Sequence, residues 1–431
     1  MMRDICLILP EQEIKDGVVT MRVLIGHYDR AAFENASELY TSRAIDFVPA
    51  ARPGKQILRK PLDRELLILN DIPGVRAHAY LSPGRTTGTA DILFKLDTTE
   101  KEGGAIYVDN YGSRYTGRWR LGGSYHRNNL SHVGDQLTIG ALRSNTDEIR
   151  NYDIRYELPV GSGGIFAGAE YFKTDYELGK QYRKYDATGL THGWRVYMRQ
   201  PLKRTLNNNT YFHLEYGESN LVDRFGAYDI DSEKKNRATR FGFEGLWRSQ
   251  KQASRAKLMH HVGDVHRYSD DTFTRANGSY QKTTLDAYDI LRVGHSTTMQ
   301  SQLSAQYAWD NLDSGAKLYI SGYGSVRAFP QSEAGGDHGV TGSIEFHIEL
   351  ADKHFRLVPF YDAGWVHRDR HPASGSPNAR TLAGAGVGLI YTNPGRSYAR
   401  IDAAFPLSDR YSETAGRNIH SMCWFQFVQY L

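Results

Sequence analysis

No run of about 18 or more apolar residues occurs anywhere in this chain, which excludes a helical membrane protein. The mean hydropathy of -0.55 and the 40% apolar content agree. Cysteine is nearly missing: Cys6 and Cys423 lie far apart and neither sits in a CxxC or other metal-ligand spacing. Such scarcity suits an oxidising envelope, where stray thiols are a hazard, and equally suits many cytoplasmic proteins. Charge of one sign is not in excess, since 53 basic side chains oppose 49 acidic ones and leave a net +4. With no basic block and no aromatic-basic interleaving, nothing points to nucleic acid. Met1 to Gln12 carries only the short apolar run Ile5 to Leu9, without the longer stretch and cleavage site of a signal peptide. The expectation is a fragment, or a chain whose start is misplaced.

What the chain does have is two-residue alternation. Phe355, Leu357, Pro359, Tyr361, Ala363 and Trp365 form one face of a strand, and Arg356, Val358, Phe360, Asp362 and Gly364 form the other. A greasy face ending in Tyr and Trp, opposite one carrying Arg and Asp, suits a wall between lipid and a wet interior. The pattern recurs in Tyr152 to Leu158, in Trp194 to Met198, in Phe212 to Tyr216 and in Gly342 to Leu350, where Ser343, Glu345 and His347 lie on the polar side. A transmembrane barrel needs no long apolar run because half of its positions face water. The 28 Tyr suit interfacial girdles, and the 42 Gly suit turns and crowded strands.

Residues 17 to 98 read differently. A strand at Val18 to Ile25 is expected to lead into a helix near Ala31 to Val48, followed by a second helix at Pro61 to Asn70 that Pro73-Gly74 stops. Strands at Val75 to Leu81 and Thr89 to Leu96 complete a small α+β module. From Thr99 to Leu431 helical periodicity vanishes. At about 20 residues per strand plus link this stretch holds about 16 strands, an even number as a closed single-chain barrel requires. The polar stretches Thr174 to Leu190, Glu218 to Asn236 and Asp264 to Gln281 are expected as external loops, and Pro159 to Gly163 as an inner turn.

Several segments, in order, carry a family likeness: Leu9-Pro10-Glu11-Gln12 with Asp16-Gly17-Val18-Val19; Leu66 to Gly74 with Leu81-Ser82-Pro83-Gly84; Val108-Asp109-Asn110-Tyr111-Gly112 with Thr116-Gly117; Ser325-Val326-Arg327-Ala328-Phe329; and Phe360-Tyr361-Asp362-Ala363-Gly364. The last two resemble the VRGY/F and FxDxG motifs of the TpsB (ShlB/FhaC/HecB) family, outer-membrane transporters of two-partner secretion (type V) within the Omp85 superfamily. The resemblance implies a mainly β fold, a 16-stranded antiparallel transmembrane β-barrel preceded by one small α+β POTRA module. Its implied divisions are residues 1–17 as the remnant of a first POTRA module and junction, 18–98 as the complete module, and 99–431 as the barrel, with an inward-folded loop around 311–337. It implies that Arg327 on that loop pairs with Asp362 on the barrel wall, supported by the motif residues Val326, Phe329, Phe360 and Gly364. Ala328 stands where the family has glycine, so a positive φ there would be strained.

The implied activity is secretion, without ATP, of a large adhesin or haemolysin, a TpsA-type exoprotein of the filamentous haemagglutinin class. The exoprotein would be recognised through its N-terminal secretion domain, with the POTRA in the periplasm and the barrel in bacterial outer-membrane lipid. No cofactor, metal or catalytic centre is implied. Gly384, Gly386 and Gly388 lack both GxGxxG spacing and a following helix, so they do not mark a nucleotide site. An Omp85-type assembly factor for other barrels is the alternative, and an outer-membrane barrel enzyme a third reading. For the latter, His260, Asp264 and His266 share one strand face and could serve a metal or an acid/base pair. His367 to His371 reads as a solvated strand end. Asn129-Leu-Ser131 and Asn277-Gly-Ser279 match a glycosylation pattern that arises by chance, and neither serine has a placed His or Asp partner.

Overall fold

The computed structural model of the protein describes residues 5–8, 10–13, 17–268, 278–372 and 377–431. Leu9, Asp16, Asn277 and the middle of the 264–281 link lie outside the described residues. Ile5–Ile8 and Arg22–Ile25 pair as an antiparallel ribbon. A three-stranded sheet follows, in which Thr89–Thr98 lies between His27–Asn35, parallel to it, and Val75–Pro83, antiparallel. Helices α1 (Thr41–Asp46) and α2 (Arg59–Asn70) cover the sheet. Phe47, Ile68, Leu69, Phe94 and Leu96 are fully buried between them.

The first half of this module departs from the expected pattern. Its first sheet strand is His27–Asn35 rather than Val18 to Ile25, and α1 is confined to Thr41–Asp46 within the expected 31–48 helix. The residues Ala31 and Phe33 alternate inward, with Phe33 stacked on Phe94 at 5.0 Å between ring centroids. Asn35 then ends the strand: its amide donates to the Leu39 carbonyl at 2.7 Å and its oxygen accepts from the Ser37 amide at 2.9 Å. Local side-chain bonds of this kind compete with helix. The second half follows expectation, including the turn at Gly74. That residue has φ +77°, and a Cβ on it would meet the Glu100 carbonyl at 2.9 Å.

Sixteen antiparallel strands then close into a barrel. They are β1 Glu102–Asp109, β2 Arg120–Asn128, β3 Gln136–Ser144, β4 Ile149–Val160, β5 Ile165–Glu177, β6 Ala187–Lys203, β7 Asn208–Phe225, β8 Ile230–Arg248, β9 Gln252–Arg267, β10 Gly278–Arg292, β11 Thr297–Ala308, β12 His338–Glu349, β13 Phe355–His367, β14 Ala379–Asn393, β15 Ser397–Pro406 and β16 Met422–Tyr430. β16 closes on β1 through Gln426–Tyr430 and Ala105–Asp109. The apolar stripes face outward: Ile139, Ile154, Phe243, Ile344, Tyr361 and Trp365 are exposed, whereas Asp362 is fully buried inside.

The expected external loop at 218–236 is largely strand, and the one at 174–190 is strand at both ends with a 3-10 turn at Lys180–Tyr185 between them. β5 runs to Glu177 and β6 starts at Ala187, while β7 and β8 are separated only by residues 226–229. Polar cross-strand pairs hold these extensions together: Lys235 to Glu218 at 2.7 Å, Arg224 to Asp231 at 2.8 Å and the Tyr176 hydroxyl to Asp223 at 2.5 Å. A ladder of backbone bonds continues above the apolar band because it needs no apolar side chains, and polar residues on both faces read as loop in the sequence.

The module docks on the barrel turns at one end. Arg204, between β6 and β7, forks onto Asp71 with both bonds at 2.7 Å. Arg43 donates to the Pro159 carbonyl at 2.9 Å, Arg64 to that of Gly163 at 3.1 Å, and the Asn129 amide to that of Pro73 at 2.8 Å. Asn129, read as part of a chance glycosylation pattern, is a docking residue.

Candidate functional site

Between β11 and β12 the chain turns inward instead of outward. Residues 309–337 form a loop whose two arms pair at Leu318–Tyr319 and Gly335–Gly336. Its root is fixed by Asp313, which caps the turn at Ser314–Ala316 and receives the Lys234 ammonium of β8 at 3.0 Å. The loop rests on an apolar island in the lumen, with a second apolar cluster of Val265, Tyr280, Ala308 and Leu312 at its root. Ile320, Val326, Ala328 and Phe329 are fully buried against Phe360, Val366, Leu382 and Ala404 of β13 to β15.

Arg327 lies on this island, 3% exposed. Its guanidinium forks onto Asp362, with Nε to Oδ2 at 2.8 Å and Nη2 to Oδ1 at 2.7 Å, and its own amide donates to Oδ2 at 3.1 Å. Bidentate geometry of this type is the strong form of a charge-assisted bond. The guanidinium plane lies 3.5 Å above the centre of the Phe360 ring. Further bonds reach Glu345 and, at 3.0 Å, the Ser343 hydroxyl, both on β12. The Arg327 carbonyl accepts from the Trp424 indole of β16 at 2.7 Å.

A second guanidinium extends the cluster. Arg400 bonds Asp402 at 2.9 Å and Glu345 at 2.8 Å, Asp402 lies 3.6 Å from Arg327, and His347 meets Glu345 at 2.8 Å. Three carboxylates are thus shared between two guanidinium groups. Removing one cation from such a buried set leaves an uncompensated charge, which typically costs about 3–5 kcal/mol. The arrangement can hold the loop firmly against one side of the lumen, through bonds from Arg327 to β12, β13 and β16.

The structure brings all six sequence-expected residues together. Arg327 and Asp362 pair directly, Val326 and Phe329 pack in the island, Phe360 lies beneath the guanidinium, and Gly364 clears space for the loop, since a Cβ there would meet the Ile320 Cβ at 2.9 Å. Ala328 is not strained, because positive φ occurs at Ser332 and Gly322 of this loop and not at Ala328. Its methyl faces Gly384, where an added Cβ would lie 2.4 Å from it. Gly386 and Gly388 likewise make room for the Phe360 ring and the Asp402 carboxylate. The glycine run is therefore a slot in the wall shaped by what fills it.

Glu345, Arg400, Asp402 and Trp424 were not singled out from sequence. The alternation in Tyr398, Arg400 and Asp402, opposite Ala399 and Ile401, held the signal for two of them. Tyr111 of the first barrel strand motif also belongs here, stacked on Tyr323 of the loop tip at 3.6 Å. Asn110 beside it ties the closing seam, donating to the Cys423 carbonyl at 3.0 Å and accepting from the Phe425 amide at 2.8 Å.

The remaining candidates lie elsewhere. His260 stands on the outer face between Phe241 and Trp309, bonded to Thr283 at 3.0 Å, with Asp264 and His266 on the same face farther along β9. Among the described residues no group of three or more His, Cys, Asp or Glu is placed to hold a metal ion. The 367–371 stretch is not merely solvated: Lys317 of the loop bonds Asp369 and the Arg368 carbonyl, each at 2.6 Å.

The family model described as haemolysin secretion/activation protein ShlB/FhaC/HecB matches residues 88–391. The chain is 26% identical over 418 residues to the heme/hemopexin transporter protein HuxB of Haemophilus influenzae (strain 86-028NP), covering 93% of this chain and 74% of that protein. It is 23% identical over 427 residues to the outer membrane transporter CdiB of Escherichia coli O6:K15:H31 (strain 536 / UPEC), covering 93% and 69%. Among solved structures, CdiB from Escherichia coli superposes with a TM-score of 0.82 at 20% identity, over 99% of this chain and 80% of that one. BamA from Haemophilus ducreyi lacking POTRA domains 1-3 superposes with a TM-score of 0.64 at 16% identity, over 99% and 90%, a likeness of fold.

Proposed function

The chain belongs to the haemolysin secretion/activation protein family ShlB/FhaC/HecB, the outer-membrane barrel transporters of two-partner secretion, and from that premise we propose how its parts handle the exoprotein. The cargo is a large adhesin or haemolysin of the TpsA type, met in the periplasm through its N-terminal secretion domain by residues 18–98 acting as a POTRA module. Support for the meeting point comes from the module's outer strand Val75–Pro83, which is paired on one side only and carries the exposed Tyr80 and Leu81. An extended segment adds to such an edge through main-chain bonds, with side-chain pockets supplying selectivity.

The observation that carries the reading is the Arg327 fork onto Asp362, with Glu345 as its second anchor. In this reading the pair is a clamp on the inward loop: seated, the loop occupies the lumen, and displaced, it yields passage to an unfolded chain. Folding of the exoprotein outside supplies the drive, without ATP. The Arg327→Ala variant should lower secretion of the cognate exoprotein by at least tenfold, because loss of a buried charge partner costs about 3–5 kcal/mol. It should also raise the frequency of open-channel events in planar bilayers. Wild-type secretion together with wild-type conductance would remove the clamp. A photo-crosslinker at Tyr80 that captures an arrested exoprotein separates secretion from the assembly-factor alternative, which requires capture of nascent barrel proteins.

A further inference from the structure

The link between β15 and β16, residues 407–421, folds inward over the loop, with Tyr411–Ser412 and Arg417–Asn418 paired as a short hairpin. This hairpin is built around a carboxylate supplied from outside it. Glu333, on the returning arm of the inward loop, is 5% exposed. It accepts from the Ser412 hydroxyl at 2.7 Å, from the Thr414 hydroxyl, and from the Glu413 and Thr414 amides, the latter at 3.2 Å. Arg380 of β14 completes the cradle at 3.1 Å and also donates to the Tyr411 carbonyl at 2.6 Å. The far side of the hairpin is held by the β1–β2 link, where Arg114 donates to the Ala415 carbonyl at 3.4 Å and the Tyr115 hydroxyl to that of Thr414.

We propose that Glu333 is a positioning residue that couples the inward loop to the 407–421 hairpin, so that the hairpin stays folded inward only while the loop is seated. If the loop withdraws, two main-chain N–H groups, two hydroxyls and a guanidinium lose their common acceptor. Buried donors left unmatched cost far more than a typical intact bond contributes, so the inward position of the hairpin becomes unfavourable. The coupling is reciprocal: lifting the hairpin strips Glu333 of its donors and loosens the loop. Charge matters as well as shape, because a glutamine at 333 would turn an NH2 group toward donors that need an acceptor. The clamp at Arg327 and the cradle at Glu333 lie six residues apart on one loop, and each holds a different element.

The inference rests on the reading that the loop moves during transport. Its test uses no exoprotein, so its failure and that of the secretion reading are distinguishable. In a Cys6→Ser, Cys423→Ser background, Ile419→Cys places a thiol at a hairpin position that is 5% exposed. Labelling by a membrane-impermeant maleimide should be slow in the otherwise unsubstituted chain and about tenfold faster in Glu333→Gln. Arg327→Ala should speed it similarly, the double variant should be no faster than the faster single one, and Glu333→Asp should recover part of the protection. Heat-modifiable gel mobility reports that the barrel itself is folded in each case. Unchanged labelling in Glu333→Gln overturns the proposal. So does faster labelling in Glu333→Gln but not in Arg327→Ala, which would make Glu333 a local support of the hairpin. If the cysteine at 419 disturbs folding, amide hydrogen exchange at Glu413 and Thr414 in the chain without it, whose N–H groups bond Glu333, reads the same opening, with the same outcomes.

Discussion

The module and the barrel interior are two cores built on opposite rules. Between its helices and sheet the module buries Phe47, Ile68, Leu69, Phe94 and Leu96, and leaves its charges outside. The barrel turns most of its Ile, Phe, Tyr and Trp side chains outward and centres its interior on Arg327, Asp362, Glu345, Arg400 and Asp402. Water surrounds the first and lipid the second, and each solvent takes the residues it dissolves. Apart from the apolar island beneath the loop, what remains inside the barrel is joined by directional bonds, and directional bonds can be broken one at a time. An oily core melts as a unit, whereas an ionic one can serve as a catch.

The largest expected effect tests the module half of this contrast. Phe94→Ala should destabilise the module by about 3–5 kcal/mol, as truncation of a fully buried aromatic does. Limited proteolysis would then remove residues 27–98 while the barrel keeps its heat-modifiable mobility; loss of both together would mean that the two cores are not independent. On the barrel wall, Ile344→Arg should cost about 2–4 kcal/mol in lipid vesicles. Gln302→Arg, on the lumen face of the adjacent strand, should stay within about 0.5 kcal/mol. Equal costs at the two sites would undo the assignment of faces.

A smaller effect is expected where loop and wall touch. Gly384→Ala forces a methyl against Ala328 and should cost about 1–3 kcal/mol, with most of the loss recovered by adding Ala328→Gly. Absence of recovery would place the strain elsewhere. The smallest effect concerns the one acid that breaks the module's own rule. Glu65 is buried on α2, accepts the Ala50 amide at 2.7 Å and has no partner at Oε2 among the described residues; burial raises its carboxyl above the ordinary value of 4.5. The folded module therefore holds a proton that the unfolded chain releases first. Its stability is complete below the ordinary value and declines as pH climbs through the raised one. Glu65→Gln should flatten that decline in pulse proteolysis across the range, and a slope unchanged by the substitution would assign it to another group.

Much of the barrel was legible because alternation is local: Phe355 to Val366 reveals its two faces within one strand. The fork between Arg327 and Asp362 was legible only through two short motifs. Glu345, Arg400, Asp402 and Trp424 come from β12, β15 and β16, and only closure of the sheet brings them to one point, so strand-by-strand reading passes them by. Gly384, Gly386 and Gly388 had no meaning until the groups that fill their space were visible. The first helix was over-read because Ala31 and Ala32 favour helix, while the decision lay with Phe33 packing on Phe94 and with the bonds of Asn35. The polar ends of β5 to β8 were under-read because no apolar stripe marks strand beyond the bilayer.

Those overlong strands give the barrel an uneven height. β7 and β8 have 18 and 19 residues, against 8 for β1 and 9 for β2. At about 3.3 Å per residue and a tilt of about 40°, the long pair outreaches an apolar band of about 25 Å by roughly 20 Å. By the same measure the short pair reaches only about 20–23 Å, a little less than the band. A rim raised on one side and cut low on the other is a spout, which would screen a leaving chain from the lipid headgroups on the tall flank and tip it toward the low one.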